Sequence, residues 1–205
     1  MNYNYIAPYY DILSRLAFCN RQQMAHDLIL NYLEPHQKIL WIGGGSGWLL
    51  KKIDALNIPI EIDFIEYSEV MLNQAKKITL THININFIHA DAFNYLFDTT
   101  YDGIITAFFF DHFKEDECQK LFYTLNQHLK PDGLWFYIDF VENQTYFQQI
   151  ITQSMILFFR IVANSRNDKF PKILWLFENY KLLESKNYFG NYMTSRVYKN
   201  KKDLN

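Results

Sequence analysis

The sequence predicts an α/β domain with a mostly parallel sheet and helices on both of its faces, and three observations lead to this prediction. From residue 38 onward, short apolar runs alternate with stretches of helical periodicity. The first apolar run ends in a glycine-rich turn, ILWIGGGSG at residues 39–47, which opens a helix. The last two strand-like runs are separated only by Phe189, Gly190 and Asn191, a spacing typical of an antiparallel hairpin.

Each strand is predicted from a short apolar run bounded by turn residues. The predicted strands are Lys38–Ile42, Glu61–Glu66, Asn86–His89, Tyr101–Phe108, Leu134–Phe140, Tyr180–Tyr188 and Tyr192–Lys199. The predicted helices are Tyr9–Phe18, Arg21–Leu33, Trp48–Leu56, residues 68–78 with Ser68 as the cap, Lys114–Leu129 and Tyr146–Ala163.

Composition narrows the class of protein. With 205 residues, 49% of them hydrophobic, the chain predicts one globular domain with a sizeable core. A net charge of −2 without a long basic run argues against a nucleic-acid partner. Cys19 and Cys118 lack metal-ligand or redox spacing, so we expect reduced thiols and no metal site. The N-terminus resembles no signal peptide and Ile150–Val162 is too short to span a membrane, so we expect a cytoplasmic protein without a transmembrane segment.

The glycine-rich turn is the strongest functional signal. Glycines at positions 43, 45 and 47 allow a sharp bend and a close approach of the backbone to a ligand. The spacing is GxGxG rather than GxGxxG and no phosphate-binding lysine follows, which disfavours a nicotinamide-dependent enzyme and a nucleotide phosphate loop. The alternative is an ordinary strand–helix turn with incidental glycines.

Two carboxylates follow at predicted strand ends. Glu66 closes the second strand, where a carboxylate can accept hydrogen bonds from ribose hydroxyls; the alternative is a solvated surface glutamate. Asp91 follows the third strand, where it could reach an adenine amine; the alternative is a helix N-cap.

Together these motifs resemble the class I S-adenosylmethionine-dependent methyltransferases over roughly residues 5–199. The matching segments are ILWIGGGSG, FIEYSEVML, HADAF, YDGIITAFFFDHF and LKPDGLWFYIDF, in the family's order. The resemblance implies a Rossmann-like seven-stranded sheet of order 3-2-1-4-5-7-6 with strand 7 antiparallel. It also implies S-adenosyl-L-methionine as cofactor, with S-adenosyl-L-homocysteine as product. The cofactor-binding residues it implies are Tyr10, Trp41, Gly43, Gly44, Gly45, Gly47, Glu66, Tyr67, Met71, Asp91, Ala92, Thr106 and Phe108.

One residue departs from the family's pattern. Trp41 stands where the family usually has an acidic residue that helps to hold the methionine amino end. If the indole only fills that space, Trp41→Glu should fold and bind the cofactor at least as tightly as the parent.

The resemblance also implies a division of the single domain. Residues 1–34 form an N-terminal helical lid, 35–140 the cofactor-binding half, 141–179 a helical substrate cap, 180–199 the C-terminal hairpin and 200–205 a tail. In the lid, Tyr10 and Asp11 match a pair that folds over the cofactor in the quinone-biosynthesis and small-molecule branch. The alternative is a docking helix packed through Ile12, Leu13 and Leu16.

Catalytic candidates follow the fourth strand. The family often has a Leu-His-His-like sequence here, and Asp111 and His112 occupy the places of its two histidines. A histidine at this point could deprotonate a phenol. The alternative is that Asp111 caps the helix starting at Lys114 while His112 packs beneath it.

Aromatic residues suggest the class of acceptor. Three phenylalanines lie in the loop after the fourth strand, and more aromatic and apolar residues lie on the predicted cap helix: Tyr146, Phe147, Met155, Phe158 and Phe159. These favour a small lipophilic or aromatic acceptor of phenol or hydroquinone type, methylated on oxygen or carbon, although the helix could equally be core. The competing hypothesis is a catalytically inactive cofactor-binding or scaffold domain. The sequence leaves open whether the chain forms a homo-oligomer or binds a pathway partner.

Overall fold

The computed structural model describes residues 21–141, 145–163 and 169–201, with the backbone alone for Arg21, Phe158, Phe159 and 161–163. Its strands form one seven-stranded sheet in the order β3-β2-β1-β4-β5-β7-β6. The strands are β1 Lys38–Ile42, β2 Ile60–Glu66, β3 Ile83–His89, β4 Tyr101–Ala107, β5 Leu129–Phe140, β6 Tyr180–Tyr188 and β7 Met193–Asn200. Only β7 is antiparallel to its neighbours, so the predicted fold is confirmed.

Helices cover both faces of this sheet. They are α1 Arg21–Leu30, α2 Leu50–Asp54, α3 Glu69–Ala75, α4 Glu115–Gln127 and α5 Tyr146–Ala163, with 3₁₀ helices at Phe110–His112 and Leu174–Phe177. The first three pack through Leu28, Leu50 and Leu72 on one face, and α4 packs through Leu121 and Leu125 on the other.

The central strand β1 shows why the sheet is buried on both sides. Ile39 and Trp41 belong to one core cluster, and Leu40 and Ile42 belong to the other. A parallel strand covered on both faces reads as a continuous apolar run, which is the pattern of KILWI.

Several predicted boundaries are wrong by a few residues. β3 begins at Ile83 instead of Asn86, because asparagines alternate with apolar residues in this edge strand and one of them, Asn86, donates to Asp63 Oδ1 (3.0 Å). The helix predicted from Trp48 begins only at Leu50, since the glycine-rich turn continues to that point. The cap predicted at Ser68 is confirmed: the Met71 N–H donates to Ser68 Oγ at 3.4 Å.

The topology fixes where a ligand can bind. Strand order reverses between β1 and β4, so their carboxyl ends, followed by the glycine-rich turn and by the Phe110–His112 helix, border a crevice at the switch point. Within the described ranges, no helix is long and apolar enough to cross a membrane.

Candidate cofactor and catalytic site

The glycine-rich turn leaves β1 in a conformation that its sequence allows. The Gly43 N–H donates to the Ile65 carbonyl (2.9 Å), and the Gly47 N–H donates to the Gly44 carbonyl (3.2 Å). Gly43, Gly45 and Gly47 have φ of 66°, 59° and 71°, in the left-handed region that L side chains rarely adopt. The predicted bend is therefore present and needs these glycines.

The four glycines of the turn differ in how much room a side chain would have at each position. A Cβ on Gly43, Gly44 or Gly47 would overlap protein side chains, namely the rings of Phe109 and Phe64 and the pair Leu50 and Ala75. A Cβ on Gly45 would meet no atom within 4 Å. Packing thus explains three of the glycines, and at Gly45 the backbone is open to a ligand.

Glu66 ties this turn to the end of β2. Its Oε2 accepts the Gly45 N–H (2.9 Å), and its Oε1 accepts the Ser68 N–H (2.7 Å). Burial raises the pKa of the Glu66 carboxyl, while these two N–H groups and the nearby His112 oppose the rise. The alternative of a solvated surface glutamate is wrong, because the carboxylate is partly buried and shapes the open turn.

Tyr67 and Met71 flank Glu66 at the start of α3. The Tyr67 side chain is exposed, and its carbonyl oxygen lies 2.9 Å from His89 Nε2. Met71 is buried within the cap that Ser68 forms. Tyr67 therefore presents an exposed ring beside Glu66, whereas the Met71 side chain is buried.

Asp91 lies just beyond the end of β3. Its Oδ1 accepts the Phe93 N–H (3.0 Å), and its Oδ2 accepts the Asn94 side-chain amide (2.9 Å). The carboxylate thus caps a turn, as the capping alternative proposed, and Ala92 beside it is buried in the core. That Asp91 contacts an adenine stays a prediction. Such a contact would use the carboxylate lone pairs that do not accept these two hydrogen bonds.

Trp41 lies in the core. The indole is buried, its ring packs edge-on against Phe64 (centroids 5.3 Å apart), and its Nε1 has no hydrogen-bond partner in the described structure. A glutamate here would bury a charge among apolar side chains. The expectation that Trp41→Glu would be tolerated is therefore corrected.

Thr106 and Phe108 take different places at the end of β4. The Thr106 side chain is fully buried and its Oγ1 accepts the Trp135 Nε1–H (2.9 Å). Thr106 was predicted to bind the cofactor, but its side chain faces the core and is not available for that contact. Phe108 leaves the strand with φ of 49°, its N–H held by the Ile138 carbonyl (2.7 Å). Left-handed backbone at a non-glycine residue is strained, and such strain clusters at functional sites.

Asp111 and His112 lie in the 3₁₀ helix that follows. His112 Nε2 is 3.6 Å from Asp111 Oδ1, and both side chains are mostly buried. Burial raises the pKa of the Asp111 carboxyl, and the adjacent His112 opposes the rise. The capping alternative is wrong, because α4 begins at Glu115 and the N–H of its N-cap Lys114 donates to Glu117 Oε2 (3.0 Å).

Asp139, near the end of β5, is a site residue that the sequence analysis missed. The carboxylate is buried, and its Oδ2 accepts the N–H groups of Phe110 (3.1 Å) and Asp111 (3.3 Å). Its Oδ1 accepts the Phe140 N–H (2.9 Å). Burial, and then the Asp111 carboxylate, raise the pKa of Asp139 well above its usual range, and the three N–H groups oppose the rise. The sequence signal that could have indicated Asp139 is a charged residue inside the apolar run FYIDF.

His26 of α1 is a second residue missed from sequence. Its Nδ1–H donates to the Gln22 carbonyl (2.7 Å), and its buried ring packs against Trp48 and Phe108 at centroid distances of 4.9 and 5.5 Å. Burial lowers the pKa of His26 to about 4, so the ring is neutral at pH 7. A neutral imidazole therefore lies between Trp48, just before α2, and Phe108, at the strained end of β4.

Comparisons with known proteins bear on this geometry. Residues 39–133 match the family described as a methyltransferase domain. That range contains the glycine-rich turn, Glu66, Asp91 and the Asp111–His112 pair. This part of the chain is therefore similar to a methyltransferase domain. No curated protein sequence matches the chain.

Solved methyltransferase structures share the fold of this chain at low sequence identity. DhpI in complex with S-adenosylhomocysteine has a TM-score of 0.68 at 12% identity, covering 98% of this chain and 94% of its own. Magnesium protoporphyrin IX methyltransferase from Synechocystis, with S-adenosylhomocysteine bound, has a TM-score of 0.64 at 14% identity, with coverages of 88% and 84%. The N-methyltransferase NodS from Bradyrhizobium japonicum, also with S-adenosylhomocysteine bound, has a TM-score of 0.59 at 13% identity, with coverages of 88% and 86%.

All three of these similar structures hold S-adenosylhomocysteine, and the residues of the glycine-rich turn in this chain fit such a ligand. Gly45 offers a backbone with open space above it, and the Glu66 carboxylate beside that space can accept hydrogen bonds from hydroxyl groups. The predicted lid residues Tyr10 and Asp11 lie outside the described residues.

Proposed function

We propose that this chain is an S-adenosylmethionine-dependent methyltransferase that acts on a small lipophilic or aromatic acceptor of the phenol or hydroquinone type, on oxygen or carbon. His112 removes the acceptor's proton, and Asp111 orients His112. The single observation that supports this proposal is the 3.6 Å separation of His112 Nε2 from Asp111 Oδ1 on the turn after β4, close enough to Glu66 for His112 to affect its pKa.

Glu66, Gly45, Tyr67 and Asp91 would hold the cofactor along the carboxyl ends of β1, β2 and β3. The bound cofactor supplies a methyl group already activated on a sulfonium, so the chain needs to align the acceptor and remove its proton. Because a phenol has a pKa near 10, it needs a base to become a good nucleophile at neutral pH.

The environment of the crevice supports an aromatic acceptor. Phe108 packs against Phe140 (centroids 5.1 Å apart), and Phe140 stacks on Phe170 at 5.2 Å with ring planes 12° apart. Tyr192 closes the same cluster, 5.2 Å from Phe140. Phe140 and Tyr192 are buried inside this cluster, and the partly exposed rings of Phe108 and Phe170 leave an uncharged apolar surface against which a planar acceptor can pack.

The test is turnover on a panel of phenols and hydroquinones with wild type, His112→Ala and Asp111→Asn. Loss of a general base should lower kcat by about 10²–10⁴-fold. The Kd for S-adenosylhomocysteine should stay nearly constant, and the exposed His82→Ala should leave kcat unchanged as the matched control. Full activity of the Asp111→Asn, His112→Ala double variant would refute the role of the pair. Cofactor binding without turnover on any acceptor would instead support the inactive-domain alternative.

A further inference from the structure

Helix α5 turns polar side chains inward and apolar side chains outward. Gln148 and Thr152 are only 4% and 5% exposed, whereas four large apolar residues of the same helix are open to solvent. These residues, here called the outer stripe, are Tyr146 at 78%, Phe147 at 63%, Ile150 at 46% and Leu157 at 56% exposure. This is the reverse of the usual arrangement of a helix on a globular domain.

Hydrogen bonds to the C-terminal hairpin fix that orientation. Gln148 Nε2 donates to the carbonyls of Phe189 (3.1 Å) and Gly190 (2.9 Å). The Thr152 hydroxyl bonds to the Tyr192 hydroxyl at 2.6 Å. Rotating the helix to bury its apolar side would leave these buried polar groups unpaired, at a cost of about 1–3 kcal/mol for each group. These hydrogen bonds therefore hold the helix with the outer stripe facing solvent.

The outer stripe lies along one side of the helix, where the exposed Gln153 stands between Ile150 and Leu157. At about 100° per residue, Tyr146, Ile150 and Leu157 fall within about 40° of each other around the helix axis. They extend over about 16 Å at 1.5 Å per residue, and Phe147 widens the line at its first turn. A line this long and this apolar marks an interaction surface.

The charge near the C-terminal end of α5 is mostly positive. The sequence from Tyr146 to Lys172 contains four basic residues and one acidic residue, in a chain whose net charge is −2. Arg160 in the last turn of α5 is exposed, as are Lys169 and Lys172 beyond it. A negatively charged partner would complement this end of the helix.

We propose that α5 docks flat on an anionic lipid surface, with the outer stripe among the acyl chains and the basic residues against the headgroups. An interfacial helix needs an apolar face and cationic residues near the membrane plane. The outer stripe is the apolar face of α5, and the exposed Arg160, with Lys169 and Lys172 beyond the end of the helix, supplies the positive charge.

A second copy of the chain fits the stripe less well. A face about 16 Å long and one helix wide offers roughly 200 Å², well below the roughly 800 Å² per partner of a stable interface. No acidic residue lies between Tyr146 and Asn167 to pair with Arg160 of another copy.

The experiment is co-sedimentation of the full chain with vesicles of phosphatidylcholine alone and with phosphatidylglycerol added. Wild type should bind the anionic vesicles, and salt should weaken the binding. The triple variant Tyr146→Ser, Ile150→Ser, Leu157→Ser should lose at least tenfold in partitioning. The control Leu96→Ser, Tyr123→Ser removes exposed apolar residues elsewhere and should bind like wild type.

Unchanged affinity of wild type and triple variant for S-adenosylhomocysteine would show that both are folded. Equal vesicle binding by the triple variant, or no binding by wild type, would overturn the proposal. A dimer in sedimentation velocity that the triple variant abolishes would overturn it in favour of a second copy. These outcomes do not depend on the identity of the methyl acceptor.

Discussion

Glu66 links the shape of the glycine-rich turn to the recognition of the cofactor. Its carboxylate holds the Gly45 N–H below the open space and the Ser68 N–H at the start of α3. Removing the carboxylate therefore takes away an acceptor for the ligand and also loosens the turn that receives it.

We expect Glu66→Ala to weaken S-adenosylhomocysteine binding about 10- to 150-fold, because charge-assisted hydrogen bonds contribute about 1.5–3 kcal/mol. The melting temperature should fall as well, since two backbone N–H groups lose their acceptor. Glu69→Ala, an exposed glutamate three residues further on, is the matched control. Wild-type affinity of Glu66→Ala in calorimetry would show that the carboxylate does not reach the ligand.

Trp41 gives a second prediction at the scale of one residue. Trp41→Glu should unfold at a much lower denaturant concentration than wild type, because it buries a charge in a site built for an indole. Trp41→Phe should cost far less, since it keeps an aromatic ring against Phe64 and removes an N–H that has no partner in the described structure. Equal stability of the glutamate variant and wild type would place the indole outside the core.

At the scale of elements, the turn after β4 is positioned by β5. Asp139 accepts the first two N–H groups of the 3₁₀ helix that carries the proposed catalytic pair. The strained φ of Phe108 begins the same turn, so the loop is held at both ends by strands of the sheet.

Asp139→Asn should lower stability by about 1–3 kcal/mol, because an amide group would replace one acceptor oxygen and face backbone N–H donors. Turnover should fall while S-adenosylhomocysteine affinity changes little, since the substitution moves the catalytic turn and not the glycine turn. Asp116→Asn, on the exposed first turn of α4, should change both quantities little. An unchanged melting temperature for Asp139→Asn would contradict this role.

The sequence predicted the elements better than their contacts. Apolar runs and glycine turns are local patterns, so the strands and the carboxyl-end placement of Glu66 and Asp111 could be predicted, whereas the sheet order was implied by the family resemblance. The outward direction of Tyr146 and Phe147 could not be predicted. Their orientation depends on Gln148 bonding to a hairpin turn some 40 residues away in sequence.

For the molecule as a whole, His26 makes stability depend on pH. Burial lowers its pKa to about 4, whereas an unfolded histidine titrates near 6.5. Between these values the unfolded chain binds the proton more readily than the folded one, so this contribution to stability is complete above pH 6.5 and is lost as the pH falls towards 4.

The His26 effect should amount to about 2 kcal/mol between pH 7 and pH 5. Glu66, Asp111 and Asp139, whose pKa values are raised in the fold, change stability in the opposite direction over part of this range. We therefore expect the difference between wild type and His26→Gln in urea unfolding to shrink as the pH is lowered. A difference independent of pH would mean that His26 has the same pKa in the folded and the unfolded chain.

Whether the open space above Gly45 is the cofactor site can be decided by calorimetric titration of S-adenosylhomocysteine. Wild type should bind and gain thermal stability by mass action. Gly45→Val should fold but lose binding, because its side chain fills the only glycine position of the turn with no atom within 4 Å of a Cβ. Gly190→Val, at a hairpin position with a similar φ of 61°, carries comparable backbone strain and should bind like wild type. Equal affinity of Gly45→Val and wild type would contradict the assignment of the turn as the methyltransferase's cofactor site.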